Sequence, residues 1–391
     1  MSLRILLGSR IYAPESGAAA YRLAALVRAL GDAGHDVTVL TTRSPTARRS
    51  EHGIRRWPVL RDEGGAVRGY FQYLSFDIPL LFRLLFARSY DVLIVEPPPT
   101  TGVVARLVSM LRRRPYIYFS ADVSSIAAQG IGVSPTIVRL LRSTERSVLR
   151  GAAGVLSVSP GVSAAVRKLA GEDTPIAEVG TGVDTAIFTP VGRRTAEGRT
   201  LVYAGTMSEI QGAGVFVDAF LKIHRKNPDV QLLMYGHGVE LAELRRRAAP
   251  AGEQIKFPGN VSGRDVAVAL RSSTAGLASV RPSQGYDFAF ATKALAALAC
   301  GVPVIYAGTG PVGELVRTNS LGWAVGWNSE EVALAMEQAL AIDPAIDCRR
   351  RISAWTAATH SLSAVGQRGA QAVQDFVLRP EDTKSDRCPR A

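Results

Sequence analysis

The feature that most constrains this chain is an alternation of short apolar runs with stretches of helical period, which runs its course once and then begins again. Residues 3–7 (Leu-Arg-Ile-Leu-Leu) read as a strand, a turn-rich loop follows, and residues 18–30 carry Leu23, Leu26, Val27 and Leu30 at helical spacing. Gly31 and Gly34 stop that helix, and residues 36–40 form the next strand. Further strand signals fall at 91–95, 116–119 and 154–158. The pattern restarts at 200–205, with strands expected at 230–236, 255–257, 275–278, 302–306 and 322–325. Such alternation implies α/β architecture, a parallel sheet covered by helices on both faces. The restart implies two of them.

At 391 residues the chain exceeds what one hydrophobic core usually serves. The expected division is a first domain over 1–190, a second over 199–365, a helix over 366–380 returning toward the first, and a frayed tail over 381–391. The polar stretch 190–199 connects the domains. The uncharged run 294–313 is long enough to cross a bilayer, but Cys300-Gly301-Val302-Pro303 inside it reads as a helix stop before a strand. The first ten residues reach Arg4 and Arg10 too soon for a signal peptide. Three distant cysteines and five scattered histidines exclude a disulfide framework and offer no metal-ligand spacing, so no metal or cofactor is expected and a reducing cytoplasm fits.

Charge narrows the partners. Residues 1–195 carry 25 Lys/Arg and 15 Asp/Glu, a surplus of 10, whereas residues 196–391 carry 21 and 19, a surplus of 2. A basic first half suits an anionic partner: nucleic acid, an anionic membrane surface or a phosphorylated substrate. A coding bias toward arginine, which supplies 40 of the 46 cations, is the plainer explanation. Nucleic acid is the least favoured, because basic residues do not alternate with aromatics and no recognised binding motif is present. The apolar stretch 74–86, with Arg88, Arg106 and Arg112 to Arg114 nearby, is either a core helix with a solvated edge or an interfacial patch. The second alternative places a cytoplasmic protein peripherally on the inner face of the plasma membrane.

In open α/β sheets ligands collect at the carboxyl ends of the strands. The first loop there ends in Gly17 and Ala18 at a helix start, where free N–H groups suit an anion. Its counterpart in the second half is Gly205 and Thr206, followed by Gln211 to Gly214. Gly236 and Gly238 flank His237, leaving room for a planar base against the backbone or simply making a turn. The densest segment is Arg281 to Lys293, containing Gly285, Tyr286, Asp287, Phe288, Ala289 and Phe290 and leading into an alanine-rich helix. Lys293 at that helix start opposes the dipole, so it needs an anion or exposure to water. A bound diphosphate would supply the anion. Asp122 follows the strand at 116–119 and Glu96 the strand at 91–95. Asp122 is a candidate acid/base or a helix cap, and Glu96 a second carboxylate.

These motifs, together with Gly182-Val183-Asp184-Thr185-Ala186-Ile187-Phe188-Thr189-Pro190, Tyr118 to Asp122 and Ala299-Cys300-Gly301-Val302-Pro303, resemble the retaining GT-B glycosyltransferases of family 4. The subgroup resembled has a Pro-x-Lys donor loop, here Ala291-Thr292-Lys293. The resemblance spans about residues 3–375 and implies two doubly wound Rossmann-like domains facing across a cleft. It implies transfer of a sugar from a nucleotide-diphosphate donor to a glycan, lipid-linked or small-molecule acceptor, with retention and without metal. The donor site would comprise Gly205, Thr206, Gln211, Gly236, His237, residues 285–290 and Lys293. The acceptor site would comprise Gly17, Ala18, Glu96 and Asp122, and Asp122 and Lys293 would be catalytic. Both family glutamates around Lys293 are replaced, by Phe288 and Ala296. That departure keeps two other readings open: an epimerase or hydrolase on the same scaffold, and a degenerate binding subunit.

Overall fold

The computed structural model describes residues 2–15, 17–44, 52–62, 65–67, 69–130, 133–193, 199–282, 287, 289–342 and 346–378. The chain forms two compact units. The first takes in Met1–Ala128, Val133–Gly180 and the chain from Val365 on; the second is chiefly Thr181–Ala364. The expected frayed tail at 381–391 lies outside the described residues, as does the middle of the expected linker.

The first unit carries strands β1 (Arg4–Ser9), β2 (Asp36–Thr42), β3 (Ile54–Trp57), β4 (Val92–Val95), β5 (Tyr116–Ser120), β6 (Gly154–Ser157) and β7 (Ile176–Glu178). They form one sheet in the order β3-β2-β1-β4-β5-β6-β7, every described pairing parallel. Its helices are α1 (Ala18–Asp32), α2 (Tyr70–Leu85), α3 (Pro99–Arg112), α4 (Ser124–Gly130), α5 (Pro135–Gly151) and α6 (Pro160–Ala170). The central strands β4, β5 and β6 are buried along their whole length, as strands covered on both faces must be.

The second unit repeats the plan with β8 (Arg199–Ala204), β9 (Val230–Tyr235), β10 (Ile255–Gly259), β11 (Ala275–Val280), β12 (Val304–Gly308) and β13 (Gly322–Val325). The order is β10-β9-β8-β11-β12-β13, again parallel. Around it lie α7 (Gly214–Ile223), α8 (Leu241–Ala248), α9 (Gly263–Ser272), α10 (Lys293–Ala299), α11 (Pro311–Thr318), α12 (Ser329–Ala341) and α13 (Ile346–His360), and α14 (Leu362–Leu378) then leads back to the first unit. Two apolar clusters fill this unit, one centred on Phe216, Phe220 and Met336, the other on Leu295, Leu298 and Val316. The expectation of two doubly wound sheets is met. In each, strand order reverses beside the first strand, between β1 and β4 and between β8 and β11, and ligands of such sheets bind at that reversal.

Helix α14 begins beside the second unit, where Leu362 donates its N–H to Val183, and ends in the first. There Arg368 Nε donates to the Val179 carbonyl at 3.0 Å, and Gln374 meets His35 at 2.7 Å. Gly366 passes so close to α1 that a Cβ on it would sit 2.6 Å from the Ala25 carbonyl oxygen.

Many arginines are committed to the fold. Arg112 Nη1 donates to the carbonyls of Leu84, Leu85 and Ala87 at the end of α2, and its guanidinium lies 5.1 Å from the Tyr90 ring. Arg146 and Arg150 serve the Leu169 and Ala170 carbonyls at the end of α6, and Arg351 serves Asn319 and Ser320 beyond α11. The last carbonyls of a helix lack internal partners and carry the negative end of its dipole, so a guanidinium suits them. This corrects the reading of Arg106 and Arg112 as surface cations: Arg106 donates to the Ser147 carbonyl, and Arg112 is a cap. Arg112→Ala should destabilise the chain by about 1–3 kcal/mol in urea unfolding. Arg112→Lys should recover only part of that, because an ammonium has no flat guanidinium face to lay against the Tyr90 ring.

Candidate functional site

In the first unit the strand reversal brings together Ser9 at the end of β1, Glu96 beyond β4 and Asp122 beyond β5. Glu96 is 4% exposed and accepts from Ser9 Oγ at 2.6 Å and from Arg22 Nη2 at 3.3 Å. Ser9 Oγ also lies 2.7 Å from the Ile11 carbonyl. One hydroxyl proton cannot serve both oxygens at once, so Ser9 shares it between the Glu96 carboxylate and the Ile11 carbonyl. Burial pushes the Glu96 carboxyl up, against the opposing pull of Arg22, the Ser9 hydroxyl and Arg10.

Asp122 stands at the rim, exposed as a residue. Its carboxyl is nonetheless pushed up by desolvation, with Arg22 and Arg10 pulling the other way. Arg22 therefore ties the two carboxylates together, with its guanidinium 4.8 Å from the Phe119 ring. Behind Asp122, buried Glu145 of α5 accepts from the N–H groups of Ser124 and Ser125 at 2.6 and 2.9 Å, capping α4 and fixing the turn. Asp122 is thus not the cap of that helix. Gly17 opens α1 at φ 148°, with nothing within 4 Å of where its Cβ would be, and Ala18 is exposed. Among the described residues no side chain caps α1, and no acid occupies its first turn.

In the second unit the reversal gathers Lys293, Gln211, Gly205 and Tyr203. Lys293 Nζ donates to Tyr203 Oη at 2.8 Å and to Gln211 Oε1, and lies 4.5 Å from the Tyr203 ring centre. Among the described residues no carboxylate lies within ion-pair distance of it. Burial in these neutral surroundings lowers its pKa to about 7. Tyr203 Oη in turn donates to the Thr206 carbonyl at 2.7 Å. The lysine stem passes over Gly205, where a Cβ would lie 2.8 Å from Lys293 Cε.

Two expectations for this unit change. The Gly205 N–H, expected to face a leaving group, donates instead to the Tyr235 carbonyl at 3.0 Å. At Gly236 and Gly238 the side on which a Cβ would project is filled by another loop of the chain: a Cβ on Gly236 would sit 2.1 Å from the Gly205 carbonyl oxygen, and one on Gly238 2.0 Å from that of Met207. Two loops are laid backbone to backbone here, closed by Met207 N–H to the His237 carbonyl at 2.8 Å. The His237 side chain is exposed. Phe290 turns its ring to His360, 5.9 Å away, and Asp287 accepts from Thr309 Oγ1 at 2.8 Å. Ala289 is partly buried beside Gly310, and Gly285, Tyr286 and Phe288 lie outside the described residues.

Sequence reading gave no site role to Arg22, Tyr203 or Arg281. Arg281 extends its guanidinium over Trp327, 4.9 Å from the ring centre, while its N–H donates to the Ile210 carbonyl. The only available signal was position, one residue past a central strand at the reversal.

Titration of Lys293 has a stability signature. Between its folded value of about 7 and its ordinary 10.5 the native chain holds fewer protons than the unfolded one, so stability from this group rises with pH. Lys293→Met should raise the melting temperature most at about pH 7 and below, with the gain shrinking as pH climbs toward 10.5, where the unfolded lysine also loses its proton. Paired thermal melts at the two pH values check this.

Comparison with known proteins adds a family. The description "Glycosyl transferase 4-like domain" matches residues 17–182 and "Glycosyl transferases group 1" matches residues 198–341. A phosphatidyl-myo-inositol mannosyltransferase of Mycobacterium tuberculosis (strain ATCC 25618 / H37Rv) is 30% identical over 152 residues, 38% of this chain and 39% of its own. A GDP-mannose-dependent alpha-(1-6)-phosphatidylinositol dimannoside mannosyltransferase of Mycobacterium tuberculosis (strain ATCC 25177 / H37Ra) is 28% identical over 214 residues, 52% of this chain and 54% of its own. The matches therefore span from about two-fifths to just over half of these curated relatives. Among solved structures, Anabaena HepE in complex with UDP-glucose superposes with a TM-score of 0.67 at 16% identity, covering 95% of this chain and all of that one.

Proposed function

Because the chain belongs to the GT-B glycosyltransferases of family 4, we propose that its second unit takes the diphosphate of a nucleotide sugar at Lys293 and its first takes an acceptor hydroxyl beside Asp122. The observation that carries this reading is the ammonium of Lys293, partly buried, held by two neutral oxygens and matched by no described carboxylate. A dianionic leaving group supplies the charge it lacks. HepE was solved with UDP-glucose and one mannosyltransferase relative is GDP-mannose-dependent; a diphosphate is common to both donors.

In the proposed transfer the bond from the anomeric carbon to the diphosphate oxygen breaks. A bond to the acceptor oxygen forms on the same face, and the acceptor proton passes to Asp122. A carboxyl pushed up by desolvation suits that task better than one at the usual value, because base strength rises toward the working pH. Arg22 holds Glu96 beside it and keeps both carboxyls from drifting higher. Asp122→Asn should lower turnover at least tenfold with GDP-mannose or UDP-glucose as donor, leaving nucleotide diphosphate affinity within about twofold. Parallel loss of donor affinity would make Asp122 structural.

We further propose a lipid-linked acceptor, as the names of the mannosyltransferase relatives suggest, and with it peripheral attachment to an anionic membrane. The supporting surface is on α2 and α3, which pack side by side. Phe71, Leu74, Ile78 and Phe82 line the exposed side of α2, continued by Phe86 just beyond its end, and Val103, Leu107, Met110 and Leu111 that of α3. No described helix is long and apolar enough to cross a membrane. Arg106 and Arg112 are occupied by carbonyls while Arg88 and Arg113 stay exposed, so attachment joins a few cations to a broad apolar area and leans chiefly on the latter. Flotation with phosphatidylinositol-containing vesicles should therefore fall only modestly with added salt, and Phe82→Ser with Phe86→Ser should abolish it. Steep salt dependence with those two changes silent would refute this attachment.

A further inference from the structure

Tyr203 is a fully buried aromatic on a central strand, yet its hydroxyl ends against the one lysine at the second unit's strand reversal. A phenol has a single proton. Here it goes to the Thr206 carbonyl at 2.7 Å, so toward Lys293 the same oxygen can only accept. Burial pushes this hydroxyl far above its ordinary range, so it stays neutral. On the other side Nζ meets Gln211 Oε1. Gln211 is itself anchored, its carbonyl accepting from Ser279 Oγ at 2.6 Å. Two of the three ammonium N–H groups are thereby directed by fixed oxygens, and neither oxygen carries charge.

We infer that Tyr203 and Gln211 are positioning residues that hold Lys293 by neutral oxygens alone, so that its charge is left for the donor diphosphate to neutralise. This rests on the reading of Lys293 given above. A carboxylate in either place would orient the ammonium equally well, but it would neutralise the charge in advance, and an entering diphosphate would then have to compete with it. Glutamine at 211 has almost the shape of glutamate, so one substitution separates orientation from charge.

The test is calorimetric titration of the full chain with UDP and GDP, each beside its nucleoside. The parent should bind at least one diphosphate ten or more times tighter than the nucleoside. Absence of that preference in the parent would sink the reading of Lys293 itself. Where the parent shows it, Gln211→Glu should lose at least tenfold in diphosphate affinity with nucleoside affinity unchanged. Tyr203→Phe, which keeps the ring and removes the acceptor, should lose three- to tenfold in the same selective manner. Preference retained in Gln211→Glu, or diphosphate and nucleoside affinity falling together, would overturn the inference while leaving Lys293 as the diphosphate partner. Thermal melts accompany both variants; should Tyr203→Phe fail to fold, the isosteric Gln211→Glu still decides.

Discussion

A cation withdrawn from water must be matched, or it loses its proton. The two units meet this constraint in opposite ways, each beside the strand reversal of its own sheet. In the first, Arg22 is matched in advance by Glu96, with Asp122 close by, and its flat guanidinium also covers Phe119. Because guanidinium does not release its proton, it demands such company. In the second, Lys293 is given oxygens without charge, and its proton becomes loosely held. The first arrangement is a closed ion-pair network that shapes a surface; the second is an incomplete one that a ligand completes.

The geometry around each cation follows from the parallel sheets. A strand order that reverses beside its first strand leaves a gap at the carboxyl ends, and the loops from β1 and β4, or from β8 and β11, turn apart there. In the second unit the loops after β8 and β9 are pressed together instead, backbone on backbone, through Gly236 and Gly238. That contact stiffens the floor on which Tyr203 and Gln211 stand. The glycines matter here because no side chain fits between the two loops.

Much of this was legible in the residues. Long apolar runs at regular spacing announced the central strands, and the restart announced a second sheet. The edge strands of the first sheet were not legible: Ile54-Arg55-Arg56-Trp57 and Ile176-Ala177-Glu178 are short and partly polar, because one long side of each is open. Lys293 stood out because a lysine at a helix start runs against the dipole. Tyr203 did not, since an aromatic on a central strand reads as core, and its hydroxyl is invisible to any hydropathy pattern. Arg22 sat on what looked like the polar stripe of an amphipathic helix. The glycines at 236 and 238 were rightly seen as a place of close approach, but what approaches is another loop of the same chain. The surplus of arginine was likewise real, and part of it is spent on helix ends.

The course of α14 bears on how this protein can be taken apart. Its later turns belong to the first unit, where they cover Leu26 and Val179 and set the Phe376 ring against Gly154. The first unit is therefore not one continuous stretch of sequence. A fragment stopping near Gly180 would lack a wall of its own core, whereas residues 181–364 hold their two apolar clusters without borrowing from elsewhere. Exchange of first units between related chains would succeed only if the last helix travelled with its distant partner, so the two ends of the chain form a single heritable module.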